Sequence, residues 1–322
     1  MKRTWRAALL AASLVLFSIP LGLYAQEQYA LFVFAADQQG VPVLDLKASD
    51  LRITEEAGPV SVVDMSRFGW PMKVTVLVDN GPRTIDSLVH YRSGIKKFFD
   101  GLPSDVPVTL IATAPNPRWL QRETKDRVQM ARAINLIAPD GGLGRFSDAL
   151  IEYAARLDLE FKQMEGDQLP PYQPVLVALS TTQQDGSEVV REKNLKMITS
   201  LRKHRVWTHM IMVSGGRMPT EPGGLPNVQT DEGQVAQIAK IVQEATSGTY
   251  TPVTEAGTSG LTTSVLPQLA QAISARYIRS MTQHRVVLQR APGAEGPMKK
   301  FSLGLVNRPG VSVIVSTNGV VP

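Results

Sequence analysis

Cysteine is missing from all 322 residues. Its absence excludes a disulfide frame, thiolate catalysis, thiolate metal ligation and a lipid anchor on cysteine. Histidine is scarce, with only His90, His204, His209 and His284, so chemistry that needs a positioned imidazole has few candidates. One-sided charge is lacking too. The formal net charge is +5, with 34 basic and 29 acidic residues. Setting aside Lys2, Arg3 and Arg6 lowers it to about +2, too little to argue for nucleic acid. After the first 25 residues no apolar run is long enough to span a membrane. What is present is ordinary globular material: 43% hydrophobic and 20% charged residues, enough for a sizeable core.

The chain opens as a targeting segment. Lys2, Arg3 and Arg6 form a basic start, Ala7 to Leu23 is apolar apart from small residues and Pro20, and Tyr24-Ala25-Gln26 reads as a cleavage region. We therefore expect residues 1–25 to be a signal peptide and the protein to be exported, periplasmic or secreted. Leu23 is large for the position before the cut, so an uncleaved segment would be the only tie to a membrane.

Strand-like pieces follow at 28–36, 41–46, 50–54 and 60–64, and again near the C-terminus at 283–289, 299–306 and 311–316. Between them strands alternate with helices. Apolar strands are predicted at 73–78, 106–112, 174–180, 205–213 and 248–253. Helical periodicity is predicted at 84–100, 124–137, 147–163, 189–203, 233–246 and 262–278. This alternation implies an α/β fold with a doubly wound, mostly parallel central sheet. Neither β-rich end suffices for its own core. Segments 27–68 and 282–318 are expected to pair as one small β-sandwich, into which an α/β domain of residues 70–281 is inserted. Ser147 is a candidate helix N-cap, Ala291 to Pro297 a turn, and the Gly/Pro-rich stretch from Ser214 to Gly233 a functional or mobile loop.

The segment Lys73–Arg83, KVTVLVDNGPR, is the most informative. An apolar strand ends in a carboxylate, Asp79, and breaks into Asn-Gly-Pro. Ligands of open α/β sheets bind at this carboxyl end. Hydroxyl residues at 81 and 83 would make D-x-S-x-S, a hard-cation site, but the chain has Gly81 and Arg83.

Five stretches carry a family resemblance: VFAADQQGVPVLDLKASDLRITEEAGPVSV, VTVLVD, GGLGRFSDALIEYA, VLVALSTTQQDGS, and the close from Pro309 to Val315 followed by STNGV. In this order they resemble the von Willebrand factor type A fold, and more narrowly the bacterial exported proteins related to it. The resemblance implies a protein-interaction or adhesion module. Its working site would be a metal-ion-dependent adhesion site holding Mg²⁺ or Ca²⁺ through oxygens. Carried over by position, that site falls on Asp79, Gly81, Arg83, Gly144, Arg145, Ser147 and Thr181, where Gly144 replaces a threonine and Thr181 an aspartate. One strong ligand survives, so the site is expected to be degenerate, with no metal and no cofactor. Only a rebuilt set (Asp79, Ser147, Ser180, Thr181 and Thr182) would restore a weak cation site. Arg83 either takes the cation's place beside Asp79 or points to water. Arg118, Arg145 and Arg217 are expected on the same edge, each either gripping a partner carboxylate or paired with local counterions.

Two enzyme readings compete. A subtilisin-like hydrolase would use Asp79, His90 and Ser259, but no histidine stands in the context that mechanism uses. A phosphate loop at Gly141-Gly142-Leu143-Gly144 lacks the preceding strand and the lysine. The expectation is therefore a non-enzymatic module with a protein partner; a scaffold without ligand is the other non-catalytic alternative.

Overall fold

The computed structural model describes residues 28–56, 60–164, 169–182, 185–188, 190–214, 233–290 and 301–319, without the side chains of Arg83 and Glu255. The expected signal segment, the 291–297 turn and the core of the 214–233 loop lie outside the described residues.

Apolar and alternating stretches near the start form β1 (Gln28–Ala36), β2 (Leu51–Glu55) and β3 (Val60–Phe68). Then β4 (Met72–Val78), β5 (Val108–Ala112) and β6 (Arg118–Thr124) enter a second sheet with β7 (Gln173–Thr181), β8 (Trp207–Ser214) and β9 (Thr249–Thr254). The chain closes with β10 (Gln283–Arg290), β11 (Phe301–Leu305) and β12 (Ser312–Ser316).

The central sheet has the order β6-β5-β4-β7-β8-β9. Every pairing is parallel except β5 with β6 at the edge. This is the doubly wound α/β arrangement, and its strand order reverses between β4 and β7. Successive strand residues face opposite layers. Val74, Val76, Val175 and Val177 pack against α1 (Leu88–Asp100), α2 (Arg127–Asn135) and a C-terminal helix. Leu77, Leu176, Met210 and Met212 pack against α3 (Phe146–Glu160), α4 (Arg191–Lys203) and α5 (Gln234–Thr246). The C-terminal helix, α6 (Leu266–Thr282), runs directly into β10. Continuous burial along β7 explains why that strand reads as an unbroken apolar run.

Strands from both ends of the chain share two antiparallel sheets, β12-β1-β10-β3 and β11-β2. Leu31, Val33, Val286 and Leu288 form their common core with Leu51, Ile53, Phe301 and Leu303. Glu55 and Arg290 make an enclosed ion pair at 2.7 Å.

Three local expectations need correction. Residues 41–46 make only one bridge, Ala36 to Pro42, because proline has no N–H to extend a ladder. There the Asp37 carboxylate holds the turn by accepting from the N–H groups of Gln39 and Val41. The 84–100 helix starts as a 3-10 turn, Pro82–Ser87, and becomes α-helical only at Leu88. And β6 escaped the sequence reading, since an edge strand carrying Arg118, Arg122 and Glu123 lacks a clean apolar alternation.

Trp70 joins the two parts. It is 1% exposed. Its indole N–H donates to Pro170 O at 2.7 Å, and its backbone N–H donates to Ser280 O at 2.9 Å. The Ser280 hydroxyl in turn donates to Trp70 O. The indole thus ties the entry into β4 to the segment before β7, and the backbone ties it to the end of α6. Trp70→Ala should cost about 3–5 kcal/mol, measured by urea denaturation. A loss under about 1 kcal/mol, the range of an ordinary surface change, would show that this junction does not depend on the indole.

Candidate functional site

The site builds from the last residue of the central strand's register. The Asp79 N–H donates to Leu179 O at 2.8 Å, carrying the β4–β7 ladder one residue past Val78. The aspartate is thereby fixed at the switch point, where neighbouring connections diverge and leave a crevice. Its carboxylate is 6% exposed. Oδ1 accepts the Gly81 N–H at 2.9 Å, and Oδ2 accepts the Ser180 hydroxyl at 3.1 Å. The Thr181 backbone also hydrogen-bonds to it.

Asn80, fully buried, fastens the surrounding loops. Its side-chain nitrogen donates to Ala138 O at 2.9 Å, and its oxygen accepts from the Ala114 N–H at 3.0 Å. The sequence reading passed over Asn80 as a turn former. The asparagine in Asp-Asn-Gly was visible, but its partners lie 34 and 58 residues away.

The glycine loop lies directly on the carboxylate. A Cβ at Gly144 would sit 2.5 Å from Asp79 Oδ1, 2.8 Å from Cγ and 2.9 Å from Oδ2. Only a residue without a side chain permits that approach. One at Gly81 would also crowd Oδ1, at 3.2 Å. Gly144 O accepts the Gly186 N–H at 2.9 Å, which draws in the loop after β7.

That loop supplies a carboxylate that the sequence reading missed, Asp185. It accepts the N–H groups of Phe146, Ser147 and Ser187, each at 3.0 Å, and the Ser147 hydroxyl. Asp185 therefore caps α3 from across the crevice, satisfying the unpaired first-turn N–H groups and meeting the positive end of the helix dipole. Ser147 is not the N-cap: it sits inside the first turn, and its hydroxyl is committed to Asp185. Thr181, where the resemblance placed the late aspartate, hydrogen-bonds to the Asp79 carboxylate through its backbone; Asp185 follows it four residues later.

Burial drives the Asp79 carboxyl above the ordinary carboxylate range. The bonds from Gly81, Ser180 and Thr181 pull it back in part, and the charge of Asp185 pushes it up again. Burial, then the charge of Asp79, raises the Tyr91 phenol. The hydroxyls of Tyr91 and Thr113 are buried without a hydrogen-bond partner.

A hard cation needs several converging oxygens, six or more in the usual shells. Here each Asp79 oxygen already accepts a bond, and the Gly144 backbone covers the carboxylate. Asp185 and Ser147 are spent on each other and on the helix end. Among the described residues no group of three or more His, Asp or Glu side chains could hold a metal. Among the described residues the donor set does not fit Mg²⁺ or Ca²⁺.

The arginines are distributed among local partners. Arg118 pairs with Asp140 at 3.2 Å. Arg145 donates to Asn116 Oδ1 at 3.0 Å and lies 3.4 Å from Asp148. The Arg83 side chain and Arg217 are outside the described residues. Burial raises the Asp148 carboxyl, and Arg145 opposes this. No hydrogen bond among the described residues links Asp79, His90 and Ser259. The Asp79 carboxylate is directed to Gly81, Ser180 and Thr181 instead.

No protein-family model and no curated protein matches the chain. Among solved structures it is similar to a von Willebrand factor type A protein from Catenulispora acidiphila, at 11% identity and a TM-score of 0.48, over 84% of this chain and 72% of that one. It is also similar to the conserved hypothetical protein BatB from Bacteroides thetaiotaomicron, at 15% identity and a TM-score of 0.44, over 63% and 97% of the two chains. A third is an aerotolerance-related membrane protein from Bacteroides fragilis, at 14% identity and a TM-score of 0.42, over 64% and 98%.

The contact between Gly144 and Asp79 can be tested against its neighbour Gly141, whose Cβ would meet nothing within 4 Å. Gly144→Ala should destabilise the fold by about 1–3 kcal/mol through overpacking. Gly141→Ala should change it by less than about 0.5 kcal/mol. Equal effects in urea denaturation would show that the loop does not press on the carboxylate.

Proposed function

We propose that this chain is an exported, non-enzymatic protein-interaction module of the von Willebrand type A kind whose recognition edge works without a bound divalent cation. Several features support the type A reading together: the strand order, an aspartate closing the first strand of the central sheet, a glycine loop opening the next long helix, and an Asp-Gly pair after β7. The basic and apolar segment at residues 2–23 supports export.

One observation carries the cation-independent part. The backbone of Gly144 occupies the space in front of Asp79, and both carboxylate oxygens are already hydrogen-bonded. In a cation-dependent module, the ion bridges the site to a partner's carboxylate. Here recognition falls to the edge loops themselves. Arg118 and Arg145 hold exposed, weak pairs with Asp140 and Asp148, worth roughly 0–1 kcal/mol each. A partner carboxylate can exchange into such pairs and gain a forked guanidinium contact.

Calorimetric titration of the protein with MgCl₂ and with CaCl₂ tests the reading. No heat beyond dilution is expected, and EDTA should leave the thermal midpoint unchanged. Tight binding to the wild type that Asp79→Ala abolishes would overturn it.

A further inference from the structure

The helices on one face of the central sheet carry an open groove. It lies between α3 and α4 and encloses about 620 Å³. On α3, Ile151, Ala155 and Leu159 recur every four residues, so their side chains share one face. On α4, Lys193, Lys196, Met197 and Ser200 stand at i, i+3, i+4 and i+7 and form the facing wall. The stretch from Ile151 to Leu159 rises about 12 Å, a little over two helical turns.

The groove is apolar at its base and cationic at its rim. Ala154 and Met197 line the base and are each 2% exposed, while Leu159 at the edge is 73% exposed. Leu159 is continuous with that base, so the exposed apolar surface is a patch and not a lone residue. Lys193 and Lys196 are exposed along the α4 wall, and Lys162 extends the rim just past the end of α3. Helix α4 as a whole carries five basic residues against one acidic, Glu192.

Among the described residues one carboxylate, Asp158, lines the groove. Its Oδ1 accepts the Ser200 hydroxyl at 2.9 Å and lies 2.7 Å from His204 Nε2. Toward the edge loops, Lys193 also attracts Asp148, which Arg145 already faces.

We propose that this groove docks an acidic amphipathic helix of a partner protein. A third helix fits the furrow between two packed helices, ridge into groove. Its apolar stripe meets Leu159, Ala155 and Ile151; the small Ala155 leaves room for a large side chain, and Met197 adapts its shape to it. Glutamates flanking that stripe meet Lys193 and Lys196. Strand addition has no place here, because both walls are helices whose backbone groups are bonded internally. A bilayer is the poorer fit, since the base is recessed and a flat surface reaches little beyond Leu159.

Fluorescence anisotropy of a labelled peptide against the full protein tests the assignment. The probe is a helix of about 14 residues, with leucines at i, i+4, i+7 and i+11 and glutamates beside them. One control has the same composition in scrambled order, and the other keeps the stripe but carries lysines for glutamates. The acidic helix should bind with a Kd below about 100 μM, and both controls at least about tenfold more weakly. Leu159→Asn should weaken the acidic helix about tenfold. Lys193→Glu combined with Lys196→Glu should weaken it about as much and turn preference toward the lysine peptide. All three side chains are exposed, so the thermal midpoint should hold in both variants. No binding of the acidic helix, equal binding of the scrambled peptide, unchanged affinity in either variant, or binding of phosphatidylglycerol vesicles in place of the peptide would each overturn the assignment.

Discussion

The structure turns on a carboxylate enclosed at the carboxyl end of its central strand. Asp79 continues the β4–β7 ladder through its own N–H, accepts hydrogen bonds from Gly81, Ser180 and Thr181, and is overlain by Gly144. Enclosure raises the cost of its charge. The surrounding donors offset part of that cost, and their three hydrogen bonds take up most of the carboxylate's roughly four acceptor positions. Two glycines make this possible, at positions where a side chain would push the loops apart. The same loops then reach Asp185, which moves the second carboxylate away from ligation and into capping α3.

Much of the architecture was legible in the residues, for a physical reason. Central parallel strands are buried on both faces, so β4, β7 and β8 read as apolar runs. The helices read through their one-sided apolar stripes. Elements that failed to read were those governed by one face or by distant partners. Edge strand β6 is half polar, and the 41–46 stretch looked extended while Pro42 denied it a ladder. At the site, Asp79 and the glycine loop were legible because turn chemistry is local. The roles of Asn80 and Asp185 were not, since their partners are far away in sequence.

At the carboxyl end of the central sheet the carboxylates of Asp79 and Asp185 are enclosed, and at the amino end Lys73 pairs with Glu123 and Glu160. The amino end also adjoins the antiparallel sheets made from both chain termini, where Arg205 donates to the Asn318 carbonyl just past β12. Trp70 ties the entry into β4 to Pro170 and Ser280. The loops around Asp79 at one end and the closing strands of the chain at the other are thus separated by the full length of the buried strands.

The central claim is most directly tested by the pH dependence of stability in wild type and Asp79→Asn, from about pH 4 to 8, with and without millimolar magnesium. A carboxyl raised by burial keeps its proton in the folded state when the unfolded chain has already lost it, so stability falls as pH rises through that window. The account predicts that Asp79→Asn is the more stable protein, by a margin that grows from near the ordinary carboxylate value of 3.8 and then levels, unchanged by magnesium. A wild type that gains on the variant as pH rises, or that magnesium alone stabilises, would contradict it.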